Sequence, residues 1–410
     1  MTAAAAAPAR FASLVARCFL PFAAGYFLSY LYRSVNAVIG PHLVREMALD
    51  AAELGILTSA YFAAFAAFQL PLGILLDRYG PRRVESALLL CAATGALLFA
   101  IAENAATLTF GRALIGLGVS SCLMASLKAN VQFWPSRRLP LANGCLMAFG
   151  GLGATVATLP VQLMLERTGW REIFLVLVVL TICAVAYLYL AVPERGGGAG
   201  GETLGEQVRA VGKIYRSALF WRVVPMSVGA QATFLSYQGL WAGPWLGDVE
   251  RLDPTASASV LFVMSAAMIP GFATSGPVYN LLLRRGLTQT MSVGAMMGIF
   301  FAVQIVLIMR LVPNQTVIWT LFCLTGSWSV VTFAYLNQNF PTSLAGRVNT
   351  ALNVLVFVCA FVLQAGVGAI INLFPAADGH FAPSGHYAAL SATVALELAG
   401  FIWFLLPRRA

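Results

Sequence analysis

Apolar residues run along this chain in long blocks, broken at intervals by short clusters of Gly, Pro, Asn and charge. A helix that crosses a membrane needs about 20 mainly apolar residues. Twelve blocks meet that length, at about 18–40, 54–76, 83–102, 107–131, 141–164, 171–192, 222–246, 257–283, 288–310, 315–338, 347–372 and 384–406. They use most of the 410 residues, which leaves no room for a soluble catalytic domain. The pattern predicts an all-α membrane protein of twelve transmembrane helices. Arg10 and Arg17 ahead of the first block imitate a signal peptide, but Arg33 and Asn36 interrupt it and eleven blocks follow. It reads as an uncleaved first helix.

Composition agrees: 60% of residues are hydrophobic and 10% charged, against about 25% charged in a soluble domain. The net charge of +9 comes from basic residues scattered singly through apolar sequence, which argues against nucleic-acid binding. The seven Cys lie in apolar runs without C-x-x-C spacing and read as small membrane-buried hydrophobes. Three dispersed His suggest no metal site, and no cofactor is expected.

Lys and Arg orient the spans. Of the 25, 17 fall on the side shared by both termini, five on the opposite side and three, Arg33, Arg112 and Lys128, within spans. This bias predicts cytoplasmic termini and the inner membrane. The opposite loops collect acids, among them Glu46, Asp50, Glu53, Asp248, Glu250 and Asp253.

The connection from Pro193 to Trp221 divides the chain into an N-terminal unit (1–192), a linker (193–221) and a C-terminal unit (222–410). The linker holds a glycine run at 196–201, then Val208, Val211, Ile214 and Tyr215 among charges, the pattern of an amphipathic surface helix. Weak repeats support two units. Phe27-Leu28-Ser29-Tyr30 recurs as Phe234-Leu235-Ser236-Tyr237, the Asp77–Gly80 loop is echoed before Gly286, and Pro135 with Asn143 is echoed by Pro341 with Asn349.

The string Gly73-Ile-Leu-Leu-Asp77-Arg78-Tyr-Gly80-Pro-Arg82-Arg83 resembles the G-x-L-x-D-R-x-G-x-R-R signature of the major facilitator superfamily, at its proper place between spans two and three. The resemblance covers essentially the whole chain. It implies a secondary transporter built as two six-helix bundles, with this loop as a cytoplasmic latch between them. Arg112-x-x-x-Gly116-x-Gly118 in span four looks like a second family element, which gives Arg112 a role in proton coupling or in helix anchoring. The antiporter motif of span five is poorly matched: Gly144, Gly150, Gly151 and Gly153 are present, but Pro160 comes too late.

Tyr26, Ser29, Tyr30 and Arg33 form one helical stripe in span one. Arg33 followed by Pro41 resembles the organophosphate and anion:cation symporter branches, where this Arg grips an anionic substrate. Independently, a guanidinium at mid-depth needs an anion, and a carboxylate fits its fork. Span seven has no matching cation, so a two-arginine phosphate clamp is not expected. A monoanion or amphoteric solute held by Arg33, with Gln238 and Trp241 opposite and Tyr26 and Tyr30 beside it, fits better. Trp241 and Trp245 read equally as interfacial aromatics. Lys128 reads as cavity lining or as a snorkelling cation. Asn337, Gln338, Asn349, Asn353 and Gln364 read first as helix-gluing amides. Glu397 reads as the only mid-span acid and the candidate for proton coupling, although span twelve is usually peripheral in this fold.

The expected function is proton-coupled movement of a small organic solute by a monomer in the bilayer. Export of a metabolite or drug is the alternative on the same fold. A membrane enzyme is disfavoured, because no H-E-x-x-H and no serine paired with a mid-span His is found. A sensor lacks space for an output domain.

Overall fold

The computed structural model describes residues 12–194, 204–341, 344–375 and 380–406. Arg10, Arg195, Arg408, Arg409 and the glycine run of the linker lie outside them. The N-terminal part holds α1 (Leu20–Ser34), α2 (Asn36–Met47), α3 (Ala51–Ala100), α4 (Ala105–Val119), α5 (Cys122–Phe133), α6 (Leu139–Val156), α7 (Leu159–Leu165) and α8 (Trp170–Ala191). The linker forms α9 (Leu204–Ile214). The C-terminal part holds α10 (Ala218–Ser236), α11 (Ala242–Asp248), α12 (Pro254–Ala266), α13 (Met268–Arg284), α14 (Gln289–Ile308), α15 (Gln315–Gly326), α16 (Val331–Asn339), α17 (Ala345–Ile371) and α18 (Pro383–Leu405).

Ten helical stretches are long and apolar enough to cross a membrane. One of them, α3, has 50 residues but is two arms, because Gly80 at φ 80°, ψ 162° is not helical. The run from α10 to α11 is not among the ten. It carries Arg222, Gln231, Gln238 and Asp248 amid its apolar residues and widens into a π-turn at Tyr237–Trp241. Helix is forced throughout, since backbone polar groups in hydrocarbon must be satisfied within the segment.

Sequence-level repeats have structural counterparts. Gly80 and Gly286 are the two glycines with positive φ among the described residues, at 80° and 88°, and they close the paired loops. Arg17 Nε donates to the Ala191 carbonyl at 3.2 Å, joining the first and last helices of the N-terminal part. Arg222 does the same in the C-terminal part, with Nε on Phe404 O at 3.1 Å. Cations at helix C-termini satisfy carbonyls that have no intrahelical partner. The first membrane segment of each part is also irregular. α1 gives way to α2 at Val35, and α10 to α11 through the π-turn.

The acids on the loops opposite the termini serve structure. Asp50 and Glu53 form a capping box on α3, and Asp253 caps α12. Glu250 pairs with Arg310 at 2.8 Å, and Glu46 with Arg171. Linker helix α9 buries Val211 and Ile214 and leaves Val208 exposed, while Tyr215 Oη donates to Ala351 O of α17 at 3.1 Å. Of the seven cysteines, Cys145 and Cys183 are exposed at the helix surface rather than buried within the protein.

Candidate functional site

Pro41 has no N–H to offer the α1–α2 segment, and the helix breaks six residues earlier, at Val35. The break is held by Arg112. Its Nη1 donates to Tyr32 O at 2.6 Å and its Nη2 to Arg33 O at 3.3 Å, and its guanidinium lies 4.9 Å from the Tyr61 ring centroid. Gly116 and Gly118, later in the same element, let α4 press against α3. A Cβ at Gly116 would fall on the Tyr61 carbonyl. Of the two readings open for Arg112, these contacts are those of a helix anchor.

With its carbonyl fixed, Arg33 projects among aromatic rings. Its guanidinium carbon stands 4.6 Å from the Tyr30 centroid, 5.6 Å from Phe357 and 5.8 Å from both Tyr61 and Phe65. The residue is 6% exposed, Nε makes no hydrogen bond, and no carboxylate pairs with it among the described residues. Cation–π contacts offset part of the desolvation and the Tyr61 hydroxyl stands within reach of the guanidinium, but Nε has no acceptor. A cavity of about 150 Å³ opens beside the guanidinium. Tyr26, Tyr30, Phe65 and Gln69 wall it from the N-terminal part, and Gln231, Asn353 and Phe357 from the C-terminal part.

Contacts that join the parts at this level include a ring pair and an amide pair. Phe65 and Phe357 approach to 4.0 Å between centroids, and Asn353 Nδ2 donates to Gln69 Oε1 at 3.1 Å. That bond leaves Gln69 Nε2 buried without a partner. The cavity wall therefore offers two unsatisfied donors, one charged and one neutral, in an apolar surround. Such a wall fits an oxyanion.

The expected site is thus partly assembled. Tyr26, Tyr30 and Arg33 meet at one cavity, with Tyr26 and Tyr30 edge to face at 5.2 Å. Gln238 and Trp241 do not line it. Gln238 Nε2 donates to Ser34 Oγ at 2.8 Å, which joins the two parts beyond Arg33, while Trp241 Nε1 donates to Gln364 O at 3.0 Å within the C-terminal part. Lys128 is also elsewhere. Its ammonium is bound by Asp77 Oδ1 at 2.6 Å and Leu76 O at 2.7 Å.

The expected latch is therefore closed on its own part of the chain. Asp77 holds Lys128 of α5, Arg82 and Arg83 reach Glu194 after α8, Arg82 covers the Tyr189 ring at 4.5 Å, and Arg78 lies over Tyr79. Gly73 and Gly80 lie on the same stretch of α3. None of these contacts crosses to the C-terminal part. Hydrogen bonds that do cross include Gln238–Ser34, Asn372–Asp50 at 3.2 Å and Thr255–Glu166 at 2.6 Å, all on the face opposite this loop.

Glu397 is buried beside Thr233 and Gln304 within the C-terminal part, away from the Arg33 cavity. It is not the only acid buried in a span. Glu85, in the second arm of α3, is fully buried too. Sequence reading passed over it because it stands two residues after Arg83 and looks like part of the charged loop. Phe65 with Gln69, and Asn353 with Phe357, were also missed as site residues. Their i, i+4 spacing on two apolar helices was the available signal. Two of the dispersed histidines meet at one carboxylate. His380 Nδ1 and His386 Nε2 each meet one oxygen of Asp248 at 2.9 Å.

Residues 22–363 match the model of the Major Facilitator Superfamily. Among curated relatives, the probable sulfoacetate transporter SauU of Cupriavidus necator is 29% identical over 37% of this chain, a match that spans 35% of the relative's length. The hexuronate transporter of Escherichia coli K12 is 24% identical, covering 67% of this chain and 69% of the relative. The probable L-galactonate transporter of the same strain is 24% identical over 84% of this chain and 80% of its own length. Among solved structures, a bacterial homologue of the human lysosomal transporter Spinster, inward-facing and unoccupied, superposes with a TM-score of 0.75 at 17% identity, covering 94% of this chain and 95% of that one.

Proposed function

The chain belongs to the major facilitator superfamily, and on that premise we propose that it is a secondary transporter of a small organic monoanion. In this reading twelve membrane-crossing helices form two six-helix halves, both termini are cytoplasmic, and the monomer works in the inner membrane by alternating access. Protons drive the movement. The observation that carries the solute class is the Arg33 guanidinium, buried in the cavity between the two parts with no carboxylate partner among the described residues and with the Gln69 amide donor beside it. Arg112 turns its two Nη groups to the Tyr32 and Arg33 carbonyls, which leaves Arg33 as the guanidinium that lines the cavity. One cation balances one negative charge, which favours a monocarboxylate or sulfonate over a phosphate dianion. Names of two relatives support the same class, since hexuronates and galactonate are monocarboxylates, whereas sulfoacetate carries both a carboxylate and a sulfonate.

The test is thermal stabilisation of the purified protein by sulfoacetate, galactonate and glucuronate, followed by uptake into vesicles. An acid in this panel raises the melting temperature of the wild type. Arg33→Ala abolishes the shift and weakens binding about 10- to 100-fold, the loss of a charge-assisted hydrogen bond, while Arg33→Lys retains part of it. Stabilisation only by neutral sugars or cations, or indifference to both substitutions, overturns the assignment.

A further inference from the structure

Glu85 is a carboxyl with no cation to hold it as an anion among the described residues. It is fully buried, and neither side-chain oxygen has a hydrogen-bond partner. Backbone of α1 lies directly against it, since a Cβ at Gly25 would fall on Glu85 Oε1. From α5 the thiol of Cys122 lies beside the carboxyl, the titratable group that faces it among the described residues. Cys122 is also within electrostatic reach of the Tyr26 hydroxyl, which lines the Arg33 cavity. No Lys, Arg or His pairs with Glu85 among the described residues. Its loop neighbours Arg82 and Arg83 turn to Glu194 instead. An ionised carboxylate in such surroundings would be uncompensated, so the species this packing accommodates is the neutral acid.

We propose that Glu85 is the proton-binding carboxyl of the transport cycle. It holds its proton while α1 lies against it and exchanges that proton with water when α1 moves away. The physical link is α1 itself. Gly25, which covers the carboxyl, is followed on the same helix by Tyr26, Tyr30 and Arg33, which meet the solute. Release of the proton creates a charge that must be hydrated, and hydration requires the Gly25 backbone to withdraw. Withdrawal of α1 then changes the walls of the solute cavity. Glu397 lacks this connection, because its neighbours Thr233 and Gln304 belong to α10 and α14 and it opens instead on a groove among α10, α17 and α18.

The inference rests on the transporter reading, and two independent readouts separate their fates. The first needs no solute. Infrared spectroscopy of the purified wild type at neutral pH shows a carboxylic C=O band that disappears in Glu85→Gln and shifts in Glu85→Asp. A spectrum unchanged by both substitutions overturns the proposal, and Glu85→Asp keeps the test open if Glu85→Gln does not fold. The second uses proteoliposomes with glucuronate, galactonate and sulfoacetate in turn. In Glu85→Gln, accumulation driven by a pH gradient falls at least about tenfold, while exchange of labelled for unlabelled solute, which moves no net proton, continues. Glu397→Gln keeps both activities. Gradient-driven accumulation that survives in Glu85→Gln, or is lost in Glu397→Gln alone, overturns the proposal. A wild type that binds one of these acids through Arg33 but ignores the pH gradient also overturns it and leaves the solute assignment standing. If no acid binds, the solute assignment fails, and the infrared band still decides whether Glu85 holds a proton.

Discussion

Each in-span ion has a distinct means of survival. Two Arg112 nitrogens are held by carbonyls while its Nε has no partner, Lys128 is held by Asp77, and Arg33 lies among aromatic rings with its Nε open. Intramembrane ions are costly enough that an open one marks function, which is why Arg33 carries the solute assignment. Outside the membrane-crossing segments, Glu46 has a simpler role. Hydrogen bonds from Arg171 and Trp170 hold its carboxyl below the ordinary Glu range. A depressed native pKa stabilises the fold above the unfolded value of about 4.3 and loses that contribution as pH falls through the lower native value. Glu46→Gln is therefore expected to lower the melting temperature at pH 7. The gap to wild type should close under strong acid, as a pair of pH-dependent melting curves will read. An equal gap at all pH values would refute the electrostatic account.

At the level of elements, the loop between the arms of α3 is set by a glycine and by ion pairs. Gly80 occupies a backbone region that is essentially closed to other residues, so Gly80→Ala should cost about 1–3 kcal/mol of stability. Asp77 is half exposed, and a double-mutant cycle of Asp77→Asn with Lys128→Gln should give a coupling of about 0.2–1 kcal/mol that weakens with salt. No coupling at low salt would mean that the pair is incidental. Sequence legibility divides along the same line. Apolar run length located the helices, and Gly80 with Gly286 announced paired turns, because both signals are local. Which residues meet across the cavity was not local. Gln69 and Asn353 are 284 positions apart, and nothing in either neighbourhood names the other. Gln238 and Trp241 were placed in the site on chemistry alone, while the π-turn that carries them turns Gln238 to Ser34 of the other part and Trp241 to Gln364 of its own.

Across the whole molecule, contact between the two parts is uneven. Polar bonds such as Asp50–Asn372, Glu166–Thr255 and Ser34–Gln238 fasten the face away from the Asp77 loop, and the loop's own ion pairs fasten nothing across. Alternating access requires the fastened face to come apart during each cycle. A reversible cross-link between cysteines substituted for Asp50 and Asn372 is expected to stop uptake, and its cleavage to restore it. Unimpeded uptake by the cross-linked protein would exclude rocking about this cavity.

The lone guanidinium also makes the protein sensitive to voltage. An empty carrier with Glu85 protonated presents the one positive charge of Arg33, which faces first one side and then the other, whereas a carrier loaded with a monoanion, or one that has released the Glu85 proton, presents no net charge. One elementary charge moved through a full 100 mV is worth about 2.3 kcal/mol. An inside-negative potential should therefore hold the empty carrier with protonated Glu85 facing the cytoplasm and slow its return, while scarcely touching the loaded step. Current relaxations in voltage-jumped vesicles, present without solute and suppressed when the solute is saturating, are the signature to seek.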